Sequence, residues 1–467
     1  MSLPLKSLAA LLGLLVPFRP VLAARRPASR AAKAAVAGAS AESRSAGRAA
    51  ARPRQAHAMP MQMPQAAAAL PGSAAYETAR EASGTSLAPA AAPLDMLMGE
   101  THGWQTMLMG EAFLVDTQQS GPRGGDKLFS TNWGMFRASR ALAGGIFAFR
   151  TMLSLEPATV TERRYPLLFQ TGETAFGRVL VDAQHPHNFF MELALEYTRP
   201  LSPRSSFTIY GGPVGDIALG PVAYPHRVSS TGFEFAAPLA HHWEDSTHIA
   251  RSVVTGALSW RAWRWEASAF NGQEPGENRW NLPLPPVDSW ASRLSWSPSA
   301  RIVAQASVGR LRRPEATAVN DVVRATASVT YACSHDASPD RDWWAASLIW
   351  GRNHFTAPAP RNSDAYTAEA AWHFARVHDL FGRIERLNND ELFTRGLTVQ
   401  QALAQPEQPG FWINALTLGY AHEIPSLPHL RSALGASFAA YLVPAPVRAV
   451  YGQHPLGVQV FLRLRLR

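Results

Sequence analysis

The chain has 467 residues, of which 17% are charged and 46% hydrophobic, with 33 glycines, 36 prolines and one cysteine, Cys333. That is too long for one small domain, and a single thiol, read here as a small packing residue, excludes a disulfide framework. The formal net charge of +9 raises nucleic acid as a partner until it is located: Lys6, Arg19, Arg25, Arg26, Arg30, Lys33, Arg44, Arg48, Arg52 and Arg54 face only one acid, Glu42, within residues 1–58. The rest of the chain balances, so the basicity belongs to a tail and nucleic acid is excluded as the partner of the body.

In chain order, the first element is a secretory leader. Lys6 gives a basic start, Leu8 to Phe18 a short apolar stretch interrupted by Pro17, and Val21-Leu-Ala23-Ala24 a small-residue cleavage site, so residues 1–23 read as a signal peptide. Residues 24–93, rich in Ala, Arg, Pro and Ser and nearly free of aromatics, cannot bury enough surface to fold and read as a disordered periplasmic tail. A solubilising role for this tail outweighs contact with anionic lipid or peptidoglycan. No later segment offers eighteen uninterrupted apolar residues, so a membrane helix is not expected, and a secreted membrane protein without one belongs in the bacterial outer membrane.

The body, residues 94–467, repeats one pattern. In 263–269, Trp263, Trp265, Ala267 and Ala269 alternate with Arg264, Glu266 and Ser268, and at the end of the chain Val458, Val460, Leu462, Leu464 and Leu466 alternate with Gln459, Phe461, Arg463, Arg465 and Arg467. A strand with three arginines on one face cannot sit in a dry sandwich core, because unpaired buried charge is too costly. It fits a wall between lipid and water. Sixteen strands are expected, at 104–117, 128–140, 144–155, 188–199, 206–212, 247–259, 262–271, 287–297, 301–311, 320–333, 342–353, 365–375, 378–388, 411–423, 431–442 and 456–466. The stretch 188–218 is hard to partition, which leaves 14 or 18 strands open, and Phe189 to Tyr197 also reads as a short helix.

Connections after odd strands are long (156–187, 213–246, 389–410), whereas those after even strands are mostly tight (141–143, 260–261, 376–377). Sorted loops of this kind distinguish an all-β, transmembrane, up-and-down antiparallel barrel from a soluble sandwich or propeller, and place both termini in the periplasm. Trp104, Trp133, Trp260, Trp280, Trp290, Trp343, Trp350 and Phe411 are the expected interfacial girdles. The chain departs from the usual barrel ending in one respect: Phe461 lies six residues before a terminal Arg467 rather than closing the sequence.

Function is then sought in the lumen and the loops. Arg150, Arg264, Glu266, Arg293, Arg301, Arg324, Glu369, His373, Arg383, Glu385, Arg463 and Arg465 have the inward parity, and a lumen with Arg in excess favours small polar or anionic solutes. The competing reading is that these charges pair across strands and brace a plugged barrel. In the outer loops, His185 and His187 stand two apart, and His226, His241, His242, Glu244, Asp245 and His248 add imidazoles and carboxylates. Such ligands suit copper or zinc, although the spacing matches no standard signature, and a hydrogen-bonded polar network is the preferred account. Met59, Met61 and Met63, then Met96, Met98, Met107 and Met109 with His102, offer thioethers of the kind that prefer Cu(I). Only the tail cluster is expected to be free, with Met107 and Met109 facing lipid. No Gly-x-Ser-x-Gly elbow, His-Glu-x-x-His pair or phosphate loop occurs, so no enzymatic activity is assigned.

The strings Gly121-Pro-Arg-Gly-Gly-Asp126, Tyr165-Pro-Leu-Leu-Phe-Gln-Thr-Gly-Glu173, His185-Pro-His-Asn188, Gly220-Pro-Val-Ala-Tyr-Pro-His-Arg227, His241-His-Trp-Glu-Asp-Ser-Thr-His248 and Asn271-Gly-Gln-Glu-Pro-Gly-Glu-Asn-Arg279 resemble those of an uncharacterised family of bacterial outer-membrane proteins. The resemblance covers roughly residues 101–467 and implies the barrel, without an established activity. The family's string has Asp where this chain has Asn188, so a metal site there would lack one carboxylate. The expected function is a porin-like passage for small polar or anionic solutes, or the outer-membrane part of a transport or resistance system. A copper- or zinc-binding outer-membrane protein and a structural barrel with a plugged lumen are the alternatives. Expected partners are outer-membrane lipid, small solutes or ions, and the barrel-assembly machinery.

Overall fold

The computed structural model describes residues 69–467 except 233, 318–319, 335–336, 357–359 and 406–408. The expected signal peptide and the Met59 to Met63 cluster lie outside the described residues. Sixteen antiparallel strands close a barrel: β1 (Trp104–Gln119), β2 (Asp126–Leu142), β3 (Gly145–Leu153), β4 (Phe190–Ser202), β5 (Ser205–Gly215), β6 (Ala250–Trp260), β7 (Trp263–Asn271), β8 (Ser289–Ser299), β9 (Ile302–Leu311), β10 (Val322–Ser334), β11 (Trp343–Phe355), β12 (Arg361–Phe374), β13 (His378–Asn389), β14 (Phe411–Ile424), β15 (Leu430–Leu442) and β16 (Leu456–Leu466). Each pairs with its sequence neighbour, and β16 returns to β1 in the register Leu114↔Leu462, so no edge is left unpaired. One further strand, Leu97–Thr101, folds back on β1 through His102 and Gly103, a hairpin the period-two reading did not anticipate.

The two faces of the wall follow directly from the alternation. In β7, Trp263, Trp265, Ala267 and Ala269 are exposed while Arg264, Glu266, Ser268 and Phe270 are buried. Leu258, Trp265, Trp290, Leu348, Ile384 and Leu418 project outward with 44–66% of their surface bare. An apolar belt this extensive is stable only against lipid, and the strands are the membrane-spanning elements. The interior is the inverse, with Arg150, Arg264, Arg293, Arg324 and Arg463 among the most completely buried side chains.

Tight turns at 143–144, 203–204, 261–262 and 300–301 lie at one end, and the long connections 154–189, 216–249 and 390–410 at the other. Several expectations need correction. Phe190 to Tyr197 is β4 and not a helix; its uneven apolar spacing reflects register shifts against β3 and β5, between Met152 and Leu153 and between Gly211 and Val214. Trp133 and Trp343 point inward, Trp133 tilted against His226 with ring centroids 4.8 Å apart and Trp343 stacked on His373 at 6.0 Å. Met107 and Met109 also face inward and pack with Met135, Met152 and Met191, because Leu108 between them takes the lipid side. Arg301 sits exposed in the tight turn before β9 and lines nothing.

The largest departure concerns the tail. Its last part, residues 69–93, packs inside the barrel: helix α1 (Ala74–Thr78), capped by Ser73, leads to an antiparallel bridge between Glu81 and Leu87. Ser83, Thr85, Ser86, Leu87, Ala88 and Ala92 are buried. Composition failed as a guide here because the segment's partner is a polar wall, which small residues fit without an apolar core of their own.

Candidate functional site

The N-terminal segment enters among the tight turns and rises to mid-lumen. Gly72 packs against Arg204 and Arg261 of those turns, and Gly84 at the apex lies so close to Asp216 that a Cβ there would meet its side chain at 2.7 Å. The segment returns to place the Ala91 N–H 2.8 Å from the Ala300 carbonyl. Its attachments to the wall are polar. Arg264 binds Glu81 at 2.8 Å and Glu77 at 3.4 Å, Arg150 donates to the carbonyls of Gly84 (2.7 Å) and Ala82 (3.0 Å), Arg80 donates to Ser297 at 2.8 Å, and Arg293 reaches Thr85 at 3.4 Å.

The long connection 216–249 folds into the lumen above this segment. Gly220, at φ +92, allows the turn, since any Cβ would lie 2.3 Å from the Glu244 carbonyl. Arg227 anchors the loop by donating to Glu369 at 2.6 Å, Asp245 at 2.8 Å and the Val222 carbonyl at 2.8 Å. Arg383 braces Glu369 from the other side at 2.9 Å and donates to Ser230 at 2.9 Å. Glu385 accepts from the Ala240 N–H at 3.1 Å. Arg324 is held by Asn353 and by Ser246 of the loop, both at 2.8 Å.

Apart from Arg301, the inward residues expected to line a pore face the lumen, as parity requires, and meet protein there. Arg150 also pairs with Glu192 and Glu196 at 3.2 Å each, Arg293 with Glu266 at 2.8 Å, Arg463 with Asp379 at 2.7 Å, and Arg465 with Glu111 at 2.5 Å. His373 donates to or accepts from Asp379 at 2.7 Å. In this conformation the lumen is occupied by two chain segments that complete the charge pairing of its wall.

At the long-loop end the quoted sequence strings converge. His187 binds Glu156 at 2.9 Å and the Tyr224 hydroxyl at 3.1 Å; His185 binds Glu173 at 2.8 Å, which also holds Arg279 at 2.8 Å. His241 binds Asp245 at 2.7 Å, and His248 binds the Asp245 carbonyl at 2.9 Å. Asn188, where a carboxylate was expected, accepts from Arg279 at 3.2 Å. Burial pushes His241 down to about 4 and His248 well below the usual histidine value, while Asp245 stays below the ordinary carboxylate range because Arg227 and His241 outweigh its desolvation. Most of the histidines singled out in the sequence thus form a hydrogen-bonded network.

Three of the eight residues named for metal do not join it. His226 stands apart, with Nε2 3.3 Å from the Met152 sulfur, and burial followed by the charge of Arg150 lowers its pKa to about 3. Glu244 is fully buried with no hydrogen bond to either oxygen, and burial raises its pKa well above the usual value. His242 turns away from the other imidazoles toward Glu274 and Glu315, two acids the sequence reading did not assign to any site. Glu274 lies within the quoted string 271–279, which was the available signal; Glu315 had none.

No protein-family model matches the sequence, and no curated protein matches it either. Among solved structures, the chain is similar to an anion-selective porin from Comamonas acidovorans (10% identity, TM-score 0.47, covering 78% of this chain and 100% of that one). It is similar also to OprB of Pseudomonas putida (10%, 0.47, 78% and 94%) and to OmpF of Salmonella typhi (8%, 0.46, 79% and 100%). The likeness is one of architecture.

Proposed function

We propose that the protein is a bacterial outer-membrane passage of porin type for small polar or anionic solutes, closed in the conformation described by residues 69–95 and the loop 216–249. The observation that carries this reading is the polar character of the plug's attachment. A barrel of sixteen strands is wide enough for an aqueous channel, and its wall carries the arginines and glutamates such a channel would have. The segments that fill it bind through charged and carbonyl groups that water can replace on withdrawal. Short turns facing the periplasm would place both termini there, so the plug would enter from the periplasmic side. The exterior belt supports lipid as the surrounding partner.

The test is single-channel conductance in planar bilayers of the chain from residue 24 and of the same chain beginning at residue 96. Rare openings in the longer form that become frequent and anion-selective in the shorter one would support the passage. Two folded but silent barrels would refute it and leave a structural barrel.

A further inference from the structure

Three donor groups from three different long-end connections meet outside the barrel strands: His242 from 216–249, Glu274 from 272–288 and Glu315 from 312–321. His242 Nδ1 stands 3.4 Å from Glu274 Oε1 and 3.4 Å from Glu315 Oε1. All three donor atoms lie within 4.8 Å of one another. Imidazole and carboxylate joined by a charge-assisted hydrogen bond close to about 2.7–2.9 Å, and the neighbouring pairs His241–Asp245 and His187–Glu156 do so at 2.7 and 2.9 Å. His242 does not. Neither of its ring nitrogens, nor Glu274 Oε1, has a hydrogen-bond partner, although all are buried.

A spacing longer than that of the neighbouring imidazole–carboxylate hydrogen bonds is the right one for ligands sharing a metal. Bonds of roughly 2.0–2.1 Å at tetrahedral angles separate adjacent N and O donors by about 3.4 Å. The surroundings preserve the arrangement. Gly172, at φ +108, packs on the His242 ring so closely that a Cβ would meet it at 2.7 Å, and the Glu274 N–H donates to the Pro314 carbonyl at 2.7 Å, tying the two acidic connections together. Arg324, the nearby cation, is committed to Asn353 and Ser246 and donates to neither acid. Exposure grows from His242 (4%) through Glu274 (9%) to Glu315 (15%), which gives an ion a way in from the Glu315 side.

We propose that His242, Glu274 and Glu315 form a binding site for one divalent cation of the zinc class, with a fourth position open to water. One imidazole with two carboxylates suits a borderline ion, and without a sulfur ligand it does not suit Cu(I). A cation bound there cross-links the inward loop to two outer connections and holds that loop in the lumen. The second constellation of this kind, His373, Asp379 and Glu423, does not qualify: Asp379 is bound by His373 and Arg463 at 2.7 Å, and Glu423 by Arg431 at 2.7 Å.

The site stands whether or not the barrel conducts, because its test is binding. The refolded chain from residue 24, stripped with chelator, is titrated calorimetrically with ZnCl2 and, in parallel, with MgCl2, and bound metal is counted by mass spectrometry after gel filtration. One tightly held zinc per chain, no magnesium, and affinity weakened by more than about tenfold in Glu315→Gln are expected, with His185→Ala unchanged. Glu315 is a partly exposed loop residue, so that variant should fold; Glu274→Gln gives a second reading of the same loss. Absence of stoichiometric zinc in the parent chain, or affinity unchanged in both glutamine variants, would overturn the proposal, as would zinc lost only on His185→Ala.

Discussion

Glu81→Gln is the sharpest perturbation of the plug. Glu81 is 1% exposed at its side chain and sits between two wall cations, 2.8 Å from Arg264 and 3.7 Å from Arg150. Burial, and next the charge of Glu196, push its carboxyl up to about 8, so the charge is present above that pH, and removing it there does not strand either arginine. Arg264 keeps Glu77 at 3.4 Å and Glu266 at 3.6 Å, and Arg150 keeps Glu192 and Glu196 at 3.2 Å. The cost is therefore below the roughly 3–5 kcal/mol of an orphaned buried charge, and closer to one charge-assisted hydrogen bond, about 2 kcal/mol. Because the lost contact exists only when the segment is docked, the whole effect falls on the docking equilibrium. At about 1.4 kcal/mol per decade, the open-to-closed ratio rises some ~30-fold. The assay is open probability in single-channel records of the otherwise intact chain at fixed voltage and salt, buffered above the Glu81 value so that the parent carboxyl is ionised. If the truncated chain conducts but Glu81→Gln matches the parent, the segment is held by something other than this charge cluster, and the reasoning fails.

Val254→Arg, at the middle of the outward face of β6 where the native side chain is 54% exposed, should destabilise the barrel in lipid vesicles by about 2–4 kcal/mol in urea titrations followed by tryptophan fluorescence; a loss within error would mean that this face does not meet hydrocarbon. His226 supplies a pH dependence. Its folded pKa of about 3 lies below the ordinary 6.5, so between those values the unfolded chain binds the extra proton and stability falls as pH falls. From pH 7 to pH 4 the loss approaches about 3 kcal/mol, and in His226→Gln that share of the acid sensitivity, read from thermal unfolding, should vanish. An unchanged pH profile would show that His226 is protonated in the fold.

The strands were legible because each carries its own signal. A residue such as Arg264 between Trp263 and Trp265 fixes both parity and environment without reference to any other strand, and this holds around the whole wall. What failed were inferences from residue type alone. Met107 and Met109 were assigned to lipid because methionine is apolar, whereas Leu108 between them already fixed their parity inward. Residues 69–93 read as a disordered tail because they hold a single aromatic, Tyr76, yet the wall holds them in part by their backbone, through the carbonyls of Ala82, Gly84 and Ala91. Backbone carbonyls leave no trace in composition. The charged triple Glu77, Arg80 and Glu81, set among alanines, was the one visible hint. The histidine strings marked the right loops, but not which of their residues would hydrogen-bond and which would face Glu315, since that depends on contacts some seventy residues apart.

The two lumen segments are not independent obstructions. The Ala223 N–H of the loop donates to Ser83 of the N-terminal segment at 2.9 Å, and Arg293 joins both to the wall, reaching Thr85 at 3.4 Å and the Gly220 carbonyl at 3.2 Å while paired to Glu266. Withdrawing either segment leaves some of these groups to be satisfied by water alone. Opening from below and release of the loop from above therefore favour each other, with the shared polar contacts as the coupling free energy. In the same loop His242 follows His241, whose ring binds Asp245, which in turn binds Arg227, so an ion held by His242, Glu274 and Glu315 acts on a part of the loop already tied to the wall. A cation bound there would oppose withdrawal of a segment it does not touch, because it fixes the loop whose Ala223 N–H holds Ser83 of that segment.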